Sequence, residues 1–310
     1  MEAGAANTDG LSARQKAQYL AEYFGFRLLV GLFRLMPLDT SAAVSAFLWR
    51  TVAPRTFRHK RALDNIARAF PEKTPAEREQ IAHGMWDNLG RVFAEGMQLD
   101  RLLREPDRLE IAGQDHLFRY ARRHGPSVGV TLHYGNWELS SYPQTAYGMD
   151  PAAVYRLVKN PYVDQFIRQQ RAPLYPGGLF AKGRAHGSNA EGQKTARRIT
   201  DFVRAGGRLG IVSDLYDKAG IEVPFFGHPA RSTPMPAMIA RRVGARFWAA
   251  RTVRKGKSSR FRIEVIELPV HRTANMGEDV RTMTADVHAL FEGWVREHPE
   301  QWMWINRRWG

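Results

Sequence analysis

The stretch Val130-Thr131-Leu132-His133-Tyr134-Gly135-Asn136-Trp137-Glu138 places an imidazole and a carboxylate five residues apart, with a glycine between them. A histidine whose tautomer and charge are set by a nearby carboxylate can take a proton from a hydroxyl as a general base. The spacing predicts His133 at the end of a strand and Glu138 in the first turn of the following helix, with Gly135 allowing the tight bend between them. In an open α/β sheet reactive groups collect where strands end and helices begin. Spacing alone does not separate this reading from a structural histidine, because His and Glu fall at this distance by chance in many chains.

Other chemistries lack their residues. The 310-residue chain contains no cysteine, which excludes disulfides, thiolate metal sites and a cysteine nucleophile. No Gly-x-Ser-x-Gly elbow, Gly-x-Gly-x-x-Gly turn, Walker loop or His-Glu-x-x-His helix is present, and the ten histidines are scattered. What remains is a base that activates an acceptor hydroxyl, with no cofactor and no metal expected.

The elements that must position these groups follow from periodicity. Residues 12 to about 104 read as helical; Thr74-Pro75-Ala76-Glu77 is a capping box that starts one long helix ending near Leu103. Beyond Gly113, strands and helices alternate. Ser127–Leu132 and Arg208–Ser213 read as buried strands, and Arg246–Val253 with Phe261–Leu268 as a pair around a basic turn. Helices are expected from near Asn136, over 161–171, 190–205, from Thr233-Pro234 to Gly244, and over 278–297. The fold class expected is α/β: a mixed, largely parallel sheet flanked by helices on both faces, with an N-terminal helical region. No internal repeat and no long linker divides residues 37–310, which read as one domain.

Lys and Arg number 46 against 31 Asp and Glu, a net charge of +15. Such an excess suits an anionic partner: nucleic acid, an anionic membrane face, a phosphorylated substrate or an acidic protein. Solvated surface is the plain alternative. A basic nucleic-acid-binding protein would need a recognisable module, and none is present, so nucleic acid is not an expected partner. The first basic residue is Arg14 and no small-residue cleavage pattern follows, so a secretory signal is not expected. Tyr19–Met36 is apolar and aromatic but carries Glu22, Arg27 and Arg34, each costing roughly 2.5–3.5 kcal/mol at a bilayer centre. Residues 1–36 therefore read as an amphipathic helix lying in an interface, with Phe24, Leu28, Leu32 and Leu35 on one side and Arg27 and Arg34 on the other. An ordinary surface helix packed on the domain has the same pattern.

The His133-x4-Glu138 block resembles the His-x4-Asp/Glu motif of the lipid A late acyltransferases, the lauroyl and myristoyl transferases of the wider lysophospholipid and glycerophosphate acyltransferase superfamily. Further blocks resemble that family in order along the chain: Asn65-Ile66-Ala67-Arg68-Ala69-Phe70-Pro71-Glu72; Tyr155-Arg156 through Lys159-Asn160-Pro161, with Arg171 beyond; Val223-Pro224-Phe225-Phe226-Gly227 followed by Arg231-Ser232-Thr233; and the Trp-rich end Pro299 to Trp309. The likeness runs from about residue 55 to the end. One departure is Leu215 after Asp214, where the family often has Gln.

The resemblance implies acyl transfer from acyl carrier protein to a hydroxyl of a phosphorylated glycolipid, a lipid A precursor, on the cytoplasmic face of the cell inner membrane. A related acyltransferase acting on a lysophospholipid or other glycolipid, with acyl-CoA as donor, shares the same motif. By resemblance His133 is the base and Glu138 orients it. Arg156 contacts a phosphate or the catalytic centre, and Asn136, Asp214, Gly227 and Arg231 join it in binding substrate. Asp214 could instead position the histidine, and Gly227 could simply make a turn. Phe225 and Phe226 are expected in the core or along an acyl channel; Trp302, Trp304 and Trp309 are expected to pack on the domain rather than sit at an interface.

Overall fold

The computed structural model describes residues 8, 11–113, 117, 119–120, 125–182 and 189–310. Residues 1–7, 9 and 10 of the expected N-terminal segment lie outside the described residues.

The helical half begins with α1 (Ala13–Arg34), started by a Ser12–Gln15 capping box. It continues with α2 (Leu38–Val52), α3 (Phe57–Ala69) and α4 (Pro75–Gly96), the last opened by the expected Thr74–Glu77 box. The long helix expected to reach Leu103 stops earlier. It breaks at Met97-Gln98, where the buried Gln98 side chain donates to Ser41 Oγ at 2.7 Å, and α5 (Leu99–Leu103) starts anew.

Among the described residues one seven-stranded sheet runs in the order β1-β9-β8-β2-β5-β3-β4. Its strands are β1 (Leu109–Ala112), β2 (Ser127–Thr131), β3 (Pro151–Arg156), β4 (Gly178–Lys182), β5 (Arg208–Val212), β8 (Arg246–Arg254) and β9 (Phe261–Leu268). All neighbours are parallel except β8 and β9, so the expected mixed, largely parallel sheet is present. Parallel strands need crossovers, supplied here by α7 (Pro161–Arg171), α8 (Asn189–Arg204) and α9 (Met235–Val243). β1 and β4, short and flanking the central strands, carry too weak a pattern to be read from residues. The Pro-Phe-Phe-Gly block forms a separate hairpin of β6 (Ile221–Phe225) and β7 (His228–Ser232).

Side chains alternate across the pleat, so the two faces of the sheet differ. Val128, Val130, Leu209, Ile211, Phe247 and Ala249 pack into the main core with α3, α4, α8, α9 and the C-terminal helix α10 (Met276–Glu297). Trp302, Trp304 and Trp309 are 2%, 0% and 5% exposed and belong to this core, as expected from packing. Phe225 and Phe226 join them there rather than lining a channel.

The helical half is tied to the sheet by an ion pair buried at the centre of the molecule. Glu95 of α4, 0% exposed, receives Arg254 Nη1 at 2.5 Å, Arg254 Nη2 at 2.9 Å and Ser259 Oγ at 2.7 Å. Arg254 Nε donates to Asn88 at 2.9 Å, and its backbone N–H to Gln301 Oε1 at 2.8 Å. Breaking such a pair from one side strands a charge in the interior. Glu95→Ala is expected to lower the unfolding free energy by about 3–5 kcal/mol, measured by denaturant titration. Glu95→Ala with Arg254→Met should lose clearly less than the sum of the two single changes.

Candidate active site

β2, β5 and β3 are neighbours, and their carboxyl ends deliver His133, Asp214 and Arg156 to one edge of the sheet. The chain leaves β2 through a tight bend. Gly135 has φ 54°, and a Cβ there would lie 1.7 Å from the Thr252 carbonyl oxygen, so only glycine fits. The bend is pinned by backbone bonds to the C-terminal tail, Gly135 N–H to Gln301 O at 2.9 Å and Met303 N–H to His133 O at 3.0 Å. Asn88 of α4 donates to Gly135 O at 2.9 Å.

His133 is held by Asp214, not by Glu138. Its Nδ1 lies 2.8 Å from Asp214 Oδ1, and its backbone N–H donates to Asp214 Oδ2 at 2.9 Å. The same Oδ2 accepts from the Trp302 indole at 2.8 Å. Nε2 then has no partner among the described residues. Burial pushes the Asp214 carboxyl up, but the His133 charge, the two His133 hydrogen bonds and the Trp302 bond outweigh it and hold the group below the usual carboxylate range. Behind it stands Arg308, buried against the Phe225 ring and hydrogen-bonded to Ser232 Oγ at 2.8 Å. Burial pulls Arg308 down to about 10, with Asp214 opposing the shift, so it keeps its charge at neutral pH. His288 beside it is pushed well below its ordinary value by burial and by Arg308.

The expected pairing of Glu138 with His133 is corrected by a nearer partner. Both carboxylate oxygens of Glu138 are taken by the Arg171 fork, Nε at 2.6 Å and Nη2 closer still. Arg171 is raised despite its burial, because the Glu138 charge and hydrogen bonds stabilise the cation. A bidentate pair satisfies a planar carboxylate better than one imidazole N–H could.

His133, Glu138, Arg171 and Arg156 line one cavity of about 560 Å³, within the range of small-ligand sites. Asp214 stands behind His133. Arg156, the last residue of β3, is exposed at the rim and has no ion-pair partner among the described residues. Lys218, which residue patterns did not single out, lines the same cavity, exposed and with no ion-pair partner among the described residues. Thr131 Oγ1 and Ser213 Oγ are also cavity residues with buried, unpartnered hydroxyls. The strand ends on which they sit were legible; their orientation was not.

Three expected binding residues lie elsewhere. Asn136 is 0% exposed, outside the cavity, and its Nδ2 donates to Glu95 at 2.9 Å, while its Oδ1 is buried with no partner among the described residues. It makes no side-chain cap bond, and the chain runs on as a 3-10 turn, Trp137–Ser141, into the short α6 (Tyr142–Ala146). Gly227 makes the hairpin turn: with Phe226 at φ 52° and Gly227 at φ 71°, the two-residue loop has the positive φ pair of a type I′ turn. Arg231 sits beside the rim, donating to the Lys218 carbonyl at 2.9 Å, and supports the loop rather than facing the cavity.

Asp214→Asn removes the charge that stabilises an imidazolium and unsettles the tautomer. Turnover should fall on the order of 10²–10⁴-fold. A group whose folded value is depressed stabilises above its unfolded pKa, near 3.9, and loses that contribution as pH falls through the folded value. The thermal midpoint gap between wild type and Asp214→Asn should therefore narrow as pH falls below about 4.

No curated protein gives a match to this chain. The family model described as bacterial lipid A biosynthesis acyltransferase matches residues 10–310, which takes in the whole sheet, the His133 bend and the Trp-rich tail that pins it. The chain belongs to the bacterial lipid A biosynthesis acyltransferase family.

Proposed function

We propose that the protein moves a fatty acyl chain from acyl carrier protein to a hydroxyl of a phosphorylated lipid A precursor, at the cytoplasmic face of the inner membrane. The observation that carries this reading is His133, with Nδ1 on Asp214, beside a cavity lined by Arg156 and Lys218; among the described residues Nε2 and both cations have no partner. In the mechanism His133 Nε2 accepts the proton of the acceptor hydroxyl as its oxygen bonds to the thioester carbonyl carbon. The C–S bond then breaks, and the departing thiolate takes the proton back from His133. Asp214 stabilises the imidazolium between these steps. Glu138 keeps Arg171 fixed at the cavity wall. Arg156 and Lys218 suit a phosphate of the acceptor, Arg156 through its two parallel N–H donors.

The test offers acyl carrier protein and acyl-CoA as donors, and a lipid A precursor and a lysophospholipid as acceptors, with products read by mass spectrometry. Wild type should prefer the carrier-protein donor and the phosphorylated glycolipid, and His133→Ala should lose on the order of 10²–10⁴-fold while staying folded. A clear preference for acyl-CoA and lysophospholipid would favour the related acyltransferase instead. A folded His133→Ala protein with near-normal turnover would remove the base from the mechanism.

Among the described residues no helix is long and apolar enough to cross a membrane. α1 nevertheless leaves Phe24, Leu28, Leu32 and Leu35 exposed, at 52–83%. Two of its cations lie against neighbouring elements while staying exposed: Arg34 forks onto Asp100 at 2.7 and 2.9 Å, and Arg27 stacks over Phe166. α2 and the start of α3 add exposed Phe47, Leu48, Val52 and Phe57, beside Arg58 and Arg61, both stacked on Phe57. Exposed apolar side chains bordered by cations suit insertion into an anionic leaflet. Phe24→Ser with Leu28→Ser should weaken flotation with anionic liposomes yet leave transfer to a detergent-dispersed acceptor within about threefold, since neither residue touches the cavity.

A further inference from the structure

The cavity continues past the reacting groups, along the face of the sheet that the main core does not use. Gly129 of β2 and Gly210 of β5 are register partners, and Gly210 is in turn opposite Ala153 of β3. On the other side of Gly129, Trp248 of β8 is its partner. One row across the sheet therefore reads Ala153, Gly210, Gly129, Trp248, and all four line the cavity. The two glycines are half-buried although they sit on central strands, while their neighbours Val128, Val130, Leu209 and Ile211 are fully buried in the core behind.

Among the described residues nothing requires glycine there. Neither residue has positive φ, and a Cβ would meet only Leu209 O at 3.7 Å or Ala152 O at 3.6 Å, ordinary contacts. Glycine inside a strand weakens it and often marks close approach of a ligand. Here the missing side chains leave open space instead of being filled by a neighbour. The row lies two residues, about 7 Å, down β2 from its last residue Thr131, and His133 stands two residues beyond that strand end. Trp248, 2% exposed and tilted against Tyr120 at 5.5 Å between ring centroids, closes its end with a rigid wall.

We propose that this row is the length gauge for the acyl chain: Gly129 and Gly210 form the floor over which the chain lies, and Trp248 is the stop that its terminal methyl meets. The assignment rests on the acyl-transfer reading above. An enclosed apolar channel prefers the chain that fills it. A shorter chain leaves a void, and a longer one has nowhere to put its last methylenes. Gly129→Val and Gly210→Val raise the floor and should move the optimum to shorter chains. Trp248→Ala removes the stop and should move it to longer ones. Valine suits a strand better than glycine, so the floor variants do not put the fold at risk.

Two measurements separate this proposal from the reading under it. The first is binding of saturated fatty acids of graded length, as free acids, to wild type and the three variants. An open apolar surface such as the exposed face of α1 binds more tightly with every added methylene, whereas a closed channel gives a maximum at one length. Wild type should show a maximum. It should fall to shorter acids in both valine variants and rise to longer ones in Trp248→Ala, with the affinity ratio between flanking lengths changing on the order of tenfold or more. A monotonic profile in wild type, or a maximum that stays in place in Gly129→Val and Gly210→Val, overturns the gauge whether or not the protein turns over. The second is wild-type transfer with acyl carrier protein donors of the same lengths. Absence of transfer at every length counts against the acyl-transfer reading alone, and the binding profile still decides the gauge.

Discussion

A single buried carboxylate organises the site. Asp214 is almost sealed from solvent, so its charge must be met by donors at close range or be given up to protonation. Three donors meet it: the His133 ring, the His133 backbone N–H and the Trp302 indole. They come from the loop just after β2 and from the C-terminal tail, while Asp214 itself lies just beyond the end of β5. The bond that sets the tautomer of the base is therefore also the bond that fixes the bend after β2 and the course of the tail. Because Nδ1 faces the carboxylate, Nε2 is left without a partner among the described residues, the division of labour that a general base would need.

The second constraint is the buried Glu95–Arg254 pair. It absorbs Asn136, Asn88 and Ser259, and with Gln301 it surrounds the same bend from below. Charged groups this deep are expensive unless they are paired, and a network that pairs them permits few alternative arrangements. The bend carrying His133 is thus held from the tail side by backbone bonds and from α4 by side chains. Precision at a strand end, where backbone ladders stop, is obtained from these long-range partners.

The sheet also separates chemistry from packing by its pleat. One face is filled by Val, Ile, Leu and the C-terminal tryptophans; the other, over β2 and β5, is left bare by two glycines and bounded by Trp248. Cations lie at the open rim and apolar surface lies within. Such polarity suits a molecule with an anionic head and a hydrocarbon tail, and the exposed apolar stripe on α1 is consistent with meeting that molecule at a lipid surface.

Much of this was legible in the order of residues, because the signals are local. Hydrophobic periodicity located the central strands and most helices, the Thr74–Glu77 box located the start of α4, and a histidine beside a strand end pointed to the candidate site. The family resemblance carried by ordered blocks is matched by the family assignment over residues 10–310. Partner choice was not legible. Glu138 is near His133 in sequence but binds Arg171, while the true partner of His133 lies 81 residues away on an adjacent strand. Asn136 read as a helix cap and Gly227 as a substrate contact, yet one is claimed by Glu95 and the other by a hairpin turn. The glycines of β2 and β5 looked like ordinary strand residues until their register set them side by side. Local patterns determine which elements form, because dihedral preference and one-sided burial act over a few residues. Which carboxylate meets which base, and where space is left empty, depends on strand order and register, and those exist only in the assembled sheet.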